Sequence, residues 1–161
     1  MINKINRIVK PMNDTQTNEA TKTIIGCAMK AHSTLGFGFL ESVYQNALAH
    51  ELRKAGCKVD QQVAIKVYYD GIVVGDFFAD LIVNDTVILE LKTVERLNKM
   101  HEVQLVNYLN ATGKETGLLL NFGAQSLEFK RKFRSPKSAS AGFSGVVGLA
   151  AVCLAILLGH F

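Results

Sequence analysis

The stretch Gly75-Asp76-Phe77-Phe78-Ala79-Asp80-Leu81-Ile82-Val83, followed past Asn84-Asp85 by Val87-Ile88-Leu89-Glu90-Leu91-Lys92, decides how this chain folds. Residues two apart on a strand share a face, so Glu90 and Lys92 point one way and Leu91 the other. The Asn84-Asp85 turn folds the two segments together, and pairing across it brings Asp80 beside Glu90. Two carboxylates and one ammonium then meet on an otherwise apolar sheet. A solvated edge strand also carries alternating charge. Here, however, Val87, Ile88, Leu89 and Leu91 make the strand apolar on both faces, as at the centre of a sheet, where unpaired charge is costly.

Working outward, Val59 to Tyr69 is β-branched and aromatic, and Asp70-Gly71 is a two-residue hairpin signal. Ile72 to Val83 continues as a strand bent near Gly75, and Val87 to Thr93 completes a meander of about three antiparallel strands. Ahead of it, Ile24, Ile25, Ala28, Ala31 and Leu35 recur at helical spacing within Glu19 to Leu35. Gly36 and Gly38 break that helix. A second runs from about Phe39 to Ala55, with Gly56 at its C-terminal cap. Behind the meander a helix spans about Asn98 to Ala111 and ends at Gly113. Gly117 to Phe122 then reads as a buried strand, and Leu127 to Phe133 as an edge strand with its lysines outward. The order is helix, helix, meander, helix, strand, strand.

Such a carboxylate cluster has a chemical use. Two hard oxygen ligands hold Mg²⁺ or Mn²⁺ while leaving positions for water and a phosphate oxygen. The cation lowers the pKa of its water, and a neighbouring lysine orients that water or offsets developing negative charge.

At 161 residues the chain fits one domain with a real hydrophobic core. Its net charge of +4 permits a polyanionic partner without demanding one. All 18 Lys+Arg and all 14 Asp+Glu precede residue 138, with Lys130, Arg131, Lys132, Arg134 and Lys137 crowded near the end of that stretch. That basic run suits a nucleic-acid backbone, lipid headgroups or a plain charged edge strand. Cys27, Cys57 and Cys153 are an odd set without CxxC spacing, which excludes a disulfide framework or structural zinc and points to a reducing, cytoplasmic setting. Residues 1–18 read as a polar, flexible leader with no secretory apolar run. Residues 19–134 form the domain and 135–140 a linker.

Residues 141–161 are an apolar tail free of Asp, Glu, Lys and Arg. As a helix the tail would reach about 31 Å, close to the hydrocarbon thickness of a bilayer. A membrane anchor through 141–161 is one reading. Gly142, Gly145, Gly148 and Gly159 argue for the other, an appendage that does not insert.

Asp80 followed by Glu90-Leu91-Lys92 resembles the paired motif of the PD-(D/E)XK nucleases, with Ala79 where the literal motif has proline. Gly38-Phe39-Leu40-Glu41-Ser42-Val43-Tyr44 resembles the signature of the GxxExxY protein family within that superfamily. The likeness runs from about Glu19 to Phe133. It implies a restriction-endonuclease-like α/β fold, an α-β-β-β-α-β core with a mixed central sheet flanked by helices. It implies Asp80, Glu90 and Glu41 as metal ligands for Mg²⁺ or Mn²⁺ and Lys92 beside the attacking water. Gln104 and Tyr108, four apart and so on one helical face, match the glutamine–tyrosine pair of the exonuclease-like branch. The implied activity is hydrolysis of phosphodiester bonds in DNA or RNA. The alternative is a non-catalytic nucleic-acid-binding or assembly module that keeps the fold. His101, one turn before Gln104, and Asp76, on the strand of Asp80, are weaker candidates; Tyr44 reads as core.

Overall fold

A computed structural model describes residues 14–135. The chain runs through α1 (Asp14–Leu35), α2 (Glu41–Lys54), β1 (Val59–Tyr69), β2 (Ile72–Val83), β3 (Val87–Lys92), α3 (Lys99–Thr112), β4 (Thr116–Asn121) and β5 (Glu128–Phe133). The strands form one sheet in the order β1-β2-β3-β4-β5. The first three are an antiparallel meander, β4 lies parallel to β3 after the α3 crossover, and β5 is antiparallel to β4. This is the mixed, helix-flanked, restriction-endonuclease-like sheet expected from the motif order, with α1 ahead of the core and β5 behind it.

Local chemistry places the turns. Asp70 and Gly71 both have positive φ, at 49° and 80°, which is the backbone of a tight hairpin between Tyr69 and Ile72. The bend expected near Gly75 is a register shift: Val67 pairs with Gly75 and Tyr68 with Val73. Asn84 and Asp85 both take left-handed backbone between the paired Val83 and Val87. Asn98 caps α3 through Met100 and His101, and Gly113 ends it in the left-handed region.

The sheet buries both faces. On one, Ile24 and Ala28 of α1 and Tyr44, Leu48 and Leu52 of α2 pack on Leu81, Val83, Leu89, Leu91, Leu118 and Leu120. On the other, Leu105, Tyr108 and Leu109 of α3 pack on Ile65, Ala79, Ile82, Ile88 and Leu119. β3 is therefore the central strand that its two-sided apolar pattern implied, with Val87 through Leu91 all buried. Along β2 the alternation slips once. Ala79 packs with α3, Leu81 packs with α1 and α2, and Ile82 packs with α3 again. Asp80 sits at the slip, and Gln62, at the matching position of β1, has φ 50°.

Two expectations change. α1 begins at Asp14, not Glu19, so the polar residues 14–18 assigned to the leader are helical. Asp14 suits the positive end of the helix dipole, and Arg131 of β5 donates to the Asn18 carboxamide at 2.6 Å. The β5 lysines do not point outward: Lys130 and Lys132 converge on Glu102 of α3 at 2.9 and 2.6 Å. Arg134 pairs with Glu115, so the described part of the basic run is engaged within the fold. Among the described residues no helix is long and apolar enough to cross a membrane. Residues 1–13, Lys137 and the 141–161 tail, with its anchor reading, lie outside the described residues.

Candidate active site

Side-chain alternation along β3 puts Ile88 against α3, and so carries Glu90 and Lys92 to that same face at the C-terminal end of the strand. The β2–β3 register pairs Leu81 with Leu89, so its next step sets Asp80 opposite Glu90. The Asp80 carboxylate turns toward β3, and its Oδ2 accepts the Leu91 N–H at 2.7 Å. Lys92 Nζ donates to Glu90 Oε1 at 2.8 Å, with the two side chains 17% and 4% exposed. Glu41, the first residue of α2, brings its charge to bear on Lys92, Asp80 and Glu90. Asp80, Glu90 and Lys92 thus meet where β2 and β3 lie side by side, and Glu41 is within electrostatic reach of them.

The electrostatics of three acids around one base follow. Burial, then the neighbouring Asp80 charge, pushes Glu90 up to about 7, against the pull of Lys92. Burial likewise raises Asp80, opposed by the Leu91 N–H and Lys92, and raises Glu41. Burial works against the Lys92 ammonium, but Glu90, Glu41 and Asp80 together hold its pKa above the ordinary lysine value. Glu90 Oε2 is buried and accepts no hydrogen bond among the described residues.

That orphaned oxygen bears on cation binding. A buried carboxylate oxygen without a donor carries a desolvation cost that a bound cation removes. The donor set here is carboxylate oxygen only, which suits a hard divalent ion. Among the described residues no three acidic, histidine or cysteine side chains already stand in a ligating cluster. Leu91 N–H occupies one Asp80 oxygen and Lys92 one Glu90 oxygen.

From α3, Gln104 Nε2 donates to Tyr108 Oη at 2.9 Å. Tyr108 lies close enough to the acids for the Glu90 charge, after burial, to raise its phenol pKa. His101 does not join the acids: its Nδ1 accepts the Asn98 N–H in the α3 capping box. Asp76 is exposed and pairs in register with Lys66, away from Asp80. His32 donates to or accepts nothing near the acids; its Nε2 meets the Ala124 carbonyl at 3.0 Å. Tyr44 is fully buried, stacks on Phe122 and donates to the Gly36 carbonyl, bracing the loop that leads into Glu41.

Three polar residues at this end of the sheet escaped the sequence reading. Gln45 donates to the Asp80 carbonyl at 3.1 Å, and Gln62 donates to Gln45 Oε1 at 3.0 Å and reaches Asp80 Oδ1 at 3.5 Å. Gln45 follows Glu41 by four, a spacing that places both on one helical face and was the available signal. Asn121, fully buried and paired in register with Lys92, bonds both the N–H and the carbonyl of Val94 and so holds the segment leaving β3.

A family model described as the PD-(D/E)XK nuclease superfamily matches residues 18–132, most of the chain and all of the elements above but the first turn of α1 and the end of β5. The chain belongs to the PD-(D/E)XK nuclease superfamily. No curated protein matches the sequence. Solved structures similar to it include the following two. The crystal structure of SSO0001 is 18% identical with a TM-score of 0.49, the likeness covering 78% of this chain and 63% of that one. An alkaline exonuclease (LHK-Exo) from Laribacter hongkongensis is 13% identical with a TM-score of 0.44, covering 78% and 73%. The chain thus spans less than two thirds of the first of these. Asp80 lies on β2 and Glu90-Leu91-Lys92 on β3, both inside the matched range.

Proposed function

We propose that this chain is a divalent-metal-dependent nuclease of the GxxExxY family that hydrolyses phosphodiester bonds in DNA or RNA. What supports the reading is the meeting of Asp80, Glu90 and Lys92 across β2 and β3, with one Glu90 oxygen buried and unpartnered among the described residues and Glu41 in electrostatic reach. Membership of the nuclease superfamily supports both the reaction class and the use of a divalent ion.

Asp80, Glu90 and Glu41 are the ligands in this reading, and the ion is Mg²⁺ or Mn²⁺. The chemistry such an ion would supply there is activation of a water and relief of charge on the phosphate. The chain's own groups do the rest. Lys92 would donate to the attacking water or to a non-bridging phosphate oxygen. Tyr108 accepts from Gln104, which leaves its own proton to donate toward the substrate. The neighbouring charges that hold Lys92 protonated keep it a donor and not a base.

A non-catalytic binding or assembly module with the same fold has one observation in its favour: Lys92 already neutralises Glu90 without an ion. Incubation of the purified chain with Mg²⁺ or Mn²⁺ and mixed DNA and RNA separates the two. Cleavage that disappears in Asp80→Ala and Lys92→Ala supports the nuclease; cleavage undiminished in both variants removes these roles. We assign residues 19–134, extended back to Asp14, to the nuclease unit.

A further inference from the structure

We propose that Gln45 and Gln62 form an amide clamp that positions Asp80 for cation binding. The inference rests on the metal-site reading above and adds to it two residues that touch neither substrate nor ion and act through Asp80.

Three contacts grip Asp80 from three elements. Leu91 of β3 holds Oδ2 at 2.7 Å, Gln62 of β1 reaches Oδ1 at 3.5 Å, and Gln45 of α2 donates to the carbonyl at 3.1 Å. The two amides are joined to each other at 3.0 Å, so they act as one unit. Gln45 is 8% exposed and sits one turn beyond Glu41. The clamp therefore ties the helix carrying one acid to the strand carrying another and fixes their spacing.

The backbone gives an independent reason. Regular alternation slips at Asp80, so neither the α3 face nor the α1–α2 face dictates where its side chain points. Opposite it, Gln62 has φ 50°, in the left-handed region that a long side chain rarely adopts. Such backbone persists where surrounding contacts over-determine it, and it clusters at functional sites. Here it lets the Gln62 amide reach both Gln45 and the Asp80 carboxylate.

The test titrates Mn²⁺ alone, calorimetrically, into the full chain as wild type, Gln62→Asn and Gln45→Met, with urea unfolding midpoints for each. Asparagine tolerates left-handed backbone well but falls one methylene short, and methionine keeps the length of Gln45 without its amide. Partners that orient metal ligands are typically worth 10–100-fold in affinity. Both variants are expected to bind Mn²⁺ about 10-fold or more weakly, while the Gln62→Asn midpoint does not fall. Affinities within about twofold of wild type would overturn the clamp and leave the metal site standing. Affinity that falls only in step with the unfolding midpoint makes the amides structural and also overturns it. A wild-type chain that takes up no Mn²⁺ at millimolar levels overturns the metal site, and the clamp with it.

Discussion

The Asp80 carboxylate accepts the main-chain N–H of Leu91, anchoring the acid of β2 to the backbone of β3 between Glu90 and Lys92. A main-chain donor cannot rotate away, so the two motif strands hold their acids in register without help from side-chain packing. The bond also favours the ionised form of a carboxyl whose pKa burial raises.

Asp80→Asn should preserve the fold and remove function. The amide oxygen can still accept from Leu91, and the loss of one of three crowded charges relieves Glu90. Urea unfolding is expected to stay within about 1 kcal/mol of wild type. Cleavage and Mn²⁺ uptake should fall by about 100-fold or more, comparable to removing a principal electrostatic group. Cleavage at the wild-type rate would remove Asp80 from the site.

Glu90 sets a pH dependence whose sign is opposite to that of an ordinary salt-bridged acid. Its folded value of about 7 lies above the unfolded 4.5, so the folded state holds the proton more tightly. The metal-free protein should lose stability as pH rises from about 4.5 to about 7, by roughly 3 kcal/mol at about 1.36 kcal/mol per unit. Asp80 and Glu41 are pushed the same way and add to the slope. Unfolding in EDTA from pH 5 to pH 8 should show this decline in wild type and a flatter profile in Glu90→Gln. A wild type that grows more stable across that window contradicts the assignment.

Lys92→Met strips the buried acids of their cation while keeping side-chain length. At pH 8, where Glu90 is ionised, the cost should be about 3 kcal/mol, as for breaking a buried pair. At pH 5, with Glu90 protonated, it should shrink to about 1 kcal/mol or less. Chemical denaturation at the two pH values measures the difference, and equal losses would mean that Lys92 does not stabilise the Glu90 carboxylate.

Asn121→Ala should unfold or loosen the turn after β3. The side chain serves the N–H groups of Val94 and Gly123 and the Val94 carbonyl, all of which would be left without it. With each orphaned group costing about 1–3 kcal/mol, a total of about 3 kcal/mol or more is expected. Backbone approach is tight here: a Cβ on Gly123 would come within 2.5 Å of the Thr93 carbonyl carbon. Slowed hydrogen exchange at Val94 in wild type, lost in the variant, is the measurement.

The chemistry of β2 and β3 was legible because it is local. The register across the Asn-Asp turn sets Asp80 opposite Glu90, period-two alternation puts Lys92 on the Glu90 face, and a spacing of four suffices to pair Gln104 with Tyr108. The rest depended on contacts between segments distant in sequence. The left-handed Gln62 leaves no compositional mark, and Gln45 looks like any polar residue on an amphipathic helix until β2 lies across it. The polar start of α1 carries no apolar periodicity ahead of Thr21, so its first turns read as leader. Alternation along β5 told which residues share a face, but not that Glu102 stands across from Lys130 and Lys132.

That last arrangement bears on how the domain would meet a polyanion. Lys130, Lys132 and Arg134 are already answered by carboxylates, as are Lys30, Lys54 and Lys58 elsewhere. A cation already paired with a carboxylate displaces fewer condensed counterions when it docks on a phosphate backbone. These six side chains should therefore add little to the salt dependence of any nucleic-acid binding.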